Sequence, residues 1–161
     1  MDAVVLVTGG SRGVGRGVAL ALLEAGAKVH VTARTLRDAD ASQQRTGSLE
    51  SLVQEAASLP GQVFIHQCDH ADDTQTEAVV ADILARHGGV DILVNNAWPG
   101  YENMVEGNGF TWARPFWQQP SWRWSAMIDV GLRSTFVTTR AVAPAMIGAG
   151  RGLIVNISFW A

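Results

Sequence analysis

The chain is poor in the residues on which several kinds of protein depend. Cys68 is its one cysteine, so no internal disulfide can form, and the expected setting is reducing and cytoplasmic. Lys28 is the one lysine and Tyr101 the one tyrosine. No block of basic residues stands out, and the net charge of -3 argues against a nucleic-acid partner. No apolar run approaches membrane-spanning length. The opening "MDAVVLV" is short and carries no cationic segment, so it reads as a core strand and not as a signal peptide. What remains is a globular chain of 161 residues, 47% hydrophobic and 17% charged, long enough for one domain spanning 1–161 and one substantial core.

Apolar, β-branched runs alternate with helical patterns. "AVVLV" (3–7), "KVHVT" (28–32), "QVFIHQ" (62–67), "DILVNN" (91–96) and "GLIVNIS" (152–158) read as strands. Between the first two, Val14, Val18, Leu22 and Leu23 form an apolar stripe that Gly26 terminates. A helix is expected over 48–59, stopped by Pro60-Gly61. Another is capped by Asp72 or Asp73 and stopped by Gly88-Gly89. A long helix starts near Ser121, with Met127, Val130, Val137 and Ala141 on one face and Ile128, Leu132 and Phe136 on another; Pro144 should kink or end it. Alternation without hairpin signals defines the fold class as α/β, a doubly wound, Rossmann-like parallel sheet that stops after its fifth strand. Stopping there leaves "LIVNI" as an apolar edge, to be covered by a partner or by further chain, or else to leave the fold unstable.

The stretch "TGGSRGVGRG" follows the first strand and opens the first helix. Gly9, Gly13 and Gly15 are spaced G-x3-G-x-G. A diphosphate must approach the backbone closely at a helix amino end, where free amides and the positive end of the dipole meet its charge. Glycines keep that approach clear, and the strand–loop–helix context is the one a dinucleotide site requires. The same glycines would also suit a tight turn under a closely packed helix. His66, Cys68 and His70, with Asp69, Asp72 and Asp73, bring metal ligands near one another, but they alternate across a strand end, and no metal is assigned. Five of the six tryptophans fall between Trp98 and Trp124. They could wall a substrate at the carboxyl ends of the strands, or pack in a core or subunit contact.

"TGGSRGVG", with "CDHADD" and "DILVNNA", resembles the short-chain dehydrogenase/reductase superfamily; the later "FWQQPSWRWSAMIDVGLRSTFV" and "GLIVNIS" resemble its member 1-like subgroup. The resemblance covers nearly the whole chain but only the first two thirds of such an enzyme. It implies that Thr8 braces the loop against the Asn95-Asn96 turn. Gly9, Ser11, Arg12, Gly13, Val14 and Gly15 would line the diphosphate and adenosine. Asp69 would meet the adenine with His70 beside it, and Asn95, Asn96 and Ala97 would border the nicotinamide-side ribose. Asp69 could equally be a helix-leading turn residue, and Asn95 and Asn96 could simply end a strand. Trp98 departs from the family's usual glycine.

A carboxylate at the end of the second strand would bind a ribose 2′-hydroxyl. Here the sequence is "VTART", and Arg34 with Arg12 could clamp a 2′-phosphate, so NADP is expected, with NAD as the alternative. The resemblance also implies a Tyr-x-x-x-Lys pair, a serine and often an asparagine for hydride chemistry on a carbonyl or secondary alcohol. Gly131 stands at the asparagine position. Ser158 stands at the first of two serine positions and Phe159 at the catalytic second, so Ser158 is the candidate catalytic hydroxyl, one place early. The tyrosine–lysine pair would lie beyond Ala161. Three readings therefore stand: a short-chain oxidoreductase incomplete in this form and oligomeric once completed, a non-catalytic nucleotide-binding remnant, and a structural subunit that completes its sheet with another chain.

Overall fold

A computed structural model describes residues 2–40, 46–99, 103–107 and 109–158. The main elements are β1 (Val4–Val7), α1 (Gly13–Glu24), β2 (Lys28–Ala33), α2 (Leu49–Ala56), β3 (Gln62–Gln67), α3 (Asp73–His87) and β4 (Ile92–Asn95). They are followed by β5 (Val105–Glu106), β6 (Gly109–Phe110), α4 (Ser121–Ser125), a π-helical stretch (Ala126–Leu132), α5 (Arg133–Ala149) and β7 (Leu153–Asn156). Five strands pair in parallel in the order β3-β2-β1-β4-β7. The order reverses at β1, so a crevice opens beyond the carboxyl ends of β1 and β4. β1 is buried along its whole length, as expected for a central strand covered on both faces.

Side chains alternate across the sheet. Val5, Val7, Val29 and Val31 pack with Ala19, Leu23, Leu49 and Leu52 on the α1/α2 side. Val4, Leu6 and Leu93 pack with Val80, Ile83, Val142 and Met146 on the α3/α5 side. Ser48 caps α2 in a reciprocal box with Ser51, and Asp72 caps α3 by accepting from the Thr74 amide. Across the second layer, Arg133 and Arg140 of α5 pair with Asp73 and Glu77 of α3.

Four expectations change. The buried stripe of α1 is Gly15, Ala19 and Leu23, while Val14 is 60% exposed. Small residues at i and i+4 let the helix lie close to the sheet, and that rotates Val14 outward. Pro144 sits inside α5 and does not end it, and it is exposed. The long helix is not uniform, because a π-helical stretch, Ala126–Leu132, stands between its α-helical parts. A short hairpin, β5–β6, stands between β4 and α4. Along the outer face of the long helix and β7, Leu132 of the π-helical stretch, Phe136 and Ile147 of α5 and Leu153 are exposed, which matches the expectation of a second apolar face on the long helix.

The α3 side of the sheet also holds a ring cluster. His30 is fully buried, stacked on Phe64 with ring centroids 4.5 Å apart, edge-on to His87, and hydrogen-bonded through Nδ1 to His66 Nε2 at 2.8 Å. Burial pulls its pKa down to about 4, helped by His66, His87 and Arg86, with Asp82 opposing. Burial also lowers that of His66. Between pH about 6.5 and about 4 the unfolded chain binds protons that the native His30 refuses, so stability falls as pH drops through that window. Each such histidine contributes a slope of up to about 1.4 kcal/mol per pH unit. Melting temperature measured from pH 7 to pH 5 should decline, and His30→Phe, which keeps a flat ring in the stack, should flatten the decline. An unchanged slope would remove His30 from this account.

Candidate cofactor site

β1 ends in Thr8, and the chain turns through the glycine loop into α1. Thr8 is 2% exposed. Its Oγ1 accepts from the Asn96 amide at 2.9 Å and the Ala97 amide at 3.0 Å, while the Thr8 amide donates to the Val94 carbonyl. Asn96 returns the contact, its Nδ2 donating to the Thr8 and Gly9 carbonyls at 3.0 and 2.9 Å. The loop after β1 and the turn after β4 are thereby joined into one rigid rim.

The glycines divide by what surrounds them. Gly9 has φ +68°, and a Cβ there would stand 2.7 Å from the Ala97 Cα. A Cβ on Gly15 would meet Asn96 Nδ2 at 2.3 Å and the Gly9 carbonyl at 2.7 Å. Both are therefore packing glycines. Gly13 differs: φ is +56°, and a Cβ there would project into open space. It opens α1, whose N-cap, Arg12, makes no side-chain capping bond and whose first turn has no acidic residue. A helix amino end with free amides, a positive dipole and no side-chain cap is a cradle suited to an anion.

One cationic side chain borders that cradle and another follows the end of β2. Arg12 donates through Nη2 to Thr35 Oγ1 at 2.9 Å and through Nε to Ser11 Oγ, so its guanidinium lies beside the end of β2. Arg34, at that strand end, is exposed. Ser11 is buried and Val14 exposed beside the loop. Arg16, which sequence reasoning did not single out, secures the loop from behind. Its Nη1 donates to the Ser11 and Ser48 carbonyls, and its Nη2 pairs with Glu55 at 2.7 Å. The signal was weak in the sequence because Glu55 and Ser48 come from α2, more than thirty residues away.

The adenine-side candidates behave differently from one another. Asp69 accepts from the Ala71 amide at 3.0 Å, a local turn that leads into α3. His70 is buried and does not face outward beside it: Nε2 bonds Thr32 Oγ1 at 2.7 Å and Nδ1 bonds Thr76 Oγ1 at 3.0 Å. Thr32 Oγ1 in turn accepts from the Gly9 amide at 3.3 Å. His70 is thus a strut from α3 through β2 to the glycine loop, its pKa pulled down to about 4 by burial. Cys68 is buried, and its thiol pKa is pushed up to about 11 by desolvation. His66 and His70 turn to different partners, His30 and the two threonines.

On the other side of the crevice, Asn95 ties three elements together. Its Nδ2 donates to Asn156 Oδ1 at 2.9 Å and to Thr139 Oγ1 at 3.1 Å, while its own buried Oδ1 has no partner among the described residues. Ser158 lies exposed just past β7. Phe159 and Tyr101 lie outside the described residues. The tryptophans do not form one wall: buried Arg123 stands between Trp112 and Trp122, while Trp117 and Trp124 point into solvent. Among the described residues, no helix is long and apolar enough to cross a membrane.

A parallel sheet with its order reversing at β1, a glycine loop locked to the β4 turn and an uncapped α1 define a dinucleotide-binding architecture. Residues 3–161 match the short chain dehydrogenase family, and the chain belongs to it. It is 36% identical over 156 residues to dehydrogenase/reductase SDR family member 1 of Homo sapiens, covering 96% of this chain and 45% of that protein. A metagenomic short-chain oxidoreductase solved in complex with NADP superposes with a TM-score of 0.76 at 34% identity, covering 99% of this chain and 62% of the other. A 3-oxoacyl-[acyl-carrier protein] reductase from Brucella melitensis, solved with NAD, gives 0.75 at 33% identity, covering 98% and 56%. The chain therefore spans about half the length of the curated relatives it matches.

Among the described residues, the Thr8 hydroxyl is the one side-chain acceptor for two backbone amides of the β4 turn. Thr8→Val should leave both without it and cost about 2–4 kcal/mol in a chemical-denaturation midpoint analysis, with Thr8→Ser recovering most of the loss. A valine variant as stable as the parent would mean that the two loops are held by something else.

Proposed function

We propose that this chain is the cofactor-binding portion of an NADP-dependent short-chain oxidoreductase acting on a carbonyl or secondary alcohol, with NAD the alternative cofactor. One observation carries the reading: the amino end of α1 is uncapped, free of acidic side chains and opened by a Gly13 that faces empty space. Gly13, Val14 and Gly15 would present their amides to the diphosphate. Arg12 and Arg34 would hold the 2′-phosphate, with no carboxylate at the end of β2 to repel it. Asn96, through Thr8 and Gly9, would keep the loop's carbonyls turned away from the anion. Asp69 would border the adenine, and Asn95 and Ala97 the nicotinamide-side ribose. His70 acts at one remove, through Thr32.

Bound there, the cofactor supplies or accepts a hydride at the substrate carbon. These 161 residues hold one tyrosine, Tyr101, and one lysine, Lys28, which begins β2 at the end of the sheet away from the crevice. No tyrosine–lysine pair spaced four apart is present to move the accompanying proton. Gly131 and Phe159, at positions where the resemblance implies an asparagine and a serine, support a second reading, a nucleotide-binding protein without turnover. Assembly through the exposed faces of α5 and β7 is compatible with both. A panel of ketones separates them, since reduction by this chain excludes the non-catalytic reading.

Fluorescence titration tests the cofactor assignment directly. NADPH should bind more tightly than NADH. Arg12→Ala should weaken NADPH about tenfold or more, the worth of one hydrogen bond to a charged group, and leave NADH within about twofold. Absence of NADPH binding at millimolar concentration would count decisively against the reading.

A further inference from the structure

Two departures from the family pattern meet in space. Gly131 lies in the π-helical stretch, with a backbone outside the positive-φ region. Alanine is therefore conformationally allowed there, yet a Cβ would stand 2.8 Å from Cδ1 and 3.4 Å from Nε1 of the Trp98 indole. The indole occupies the notch left by the missing side chain. Trp98 is held on both flanks. The Ala97 amide is bonded to Thr8 Oγ1. The Pro99 carbonyl accepts from Asn103 Nδ2 at 2.8 Å, and the Asn103 carbonyl accepts from the buried Arg123 at 2.7 Å. Trp98 is only half-buried and stands in the turn that follows β4.

We propose that Trp98 and Gly131 form an interlocked pair in which the indole is a positioning residue for the nicotinamide half of the cofactor. The inference rests on the dinucleotide site proposed above and adds a wall to it. Gly131, in the π-helical stretch, gives the ring its seat, and the ring offers a flat apolar face in the turn that would border the nicotinamide-side ribose. A π-helical turn widens a helix locally and recurs at functional sites. A stacking face contributes affinity for any planar ring, whatever its substituents.

The test has two arms on the 161-residue chain. The first is a thermal-melting cycle. Gly131→Ala should lower the melting temperature while Trp98 is present. It should raise it, by about 2–4 °C, in a Trp98→Ala background, where only the gain in helix propensity remains. A shift of the same sign and size in both backgrounds overturns the interlock. The second arm compares NADPH with adenosine 2′,5′-bisphosphate, which lacks the nicotinamide half. Trp98→Ala should weaken NADPH about fivefold or more and leave the bisphosphate within twofold, and Trp98→Phe should recover most of the NADPH affinity. Equal losses for both ligands, or no loss for NADPH, overturn the positioning role. Should Trp98→Ala fail to fold, Trp98→Leu replaces it with the same expectations. A parent chain that binds neither ligand overturns the cofactor reading and the positioning role together, and the melting cycle then decides the interlock by itself.

Discussion

The crevice depends on one small set of hydrogen bonds, those between Thr8 and the turn after β4. A buried hydroxyl accepts two backbone amides while the neighbouring asparagine holds two carbonyls of the glycine loop. In a buried site, each of these groups would be costly to leave unpaired. Two loops that begin 88 residues apart are thereby fixed at one separation, and the amino end of α1 opens beside them. Everything proposed for the site is built on that arrangement.

Support radiates from this rim. Behind the loop, Arg16 links Ser11 to α2. From the far side, a chain of side chains runs from Thr76 through His70 and Thr32 to the Gly9 amide. Toward β7, Asn95 joins Asn156 and Thr139. These residues need not touch a ligand to matter, because an anion cradle gains from amides already fixed in place. The same economy explains why Gly9 and Gly15 are glycines for packing and Gly13 for access.

Much of the fold was legible from residue order. The five strands and their connecting helices follow from β-branched runs alternating with helical stripes, and Ser48, Asp72 and Gly88 mark helix ends by local chemistry. Val14 was misplaced because its periodicity competes with that of Gly15 and Ala19, and close packing favours the smaller set. Of the two outcomes expected at Pro144, an end to the helix is the one that does not occur, since α5 runs through it. The π-helical stretch leaves no periodic signature, and the β5–β6 hairpin has two residues per strand, too few for an alternation to show.

For the site itself, residue order determined which backbone could carry an anion: glycines at fixed offsets after a buried strand restrict the chain to few turns, and that is local physics. It also determined which side chains were available, one lysine and one tyrosine among them. Only the tertiary structure decided how they are used. It turned His70 inward onto two threonines, made Asn96 the partner of the glycine loop and seated Trp98 against Gly131. Those outcomes rest on contacts between residues far apart in the chain. Which of several possible partners a polar or aromatic side chain takes is settled only when packing sets the distances.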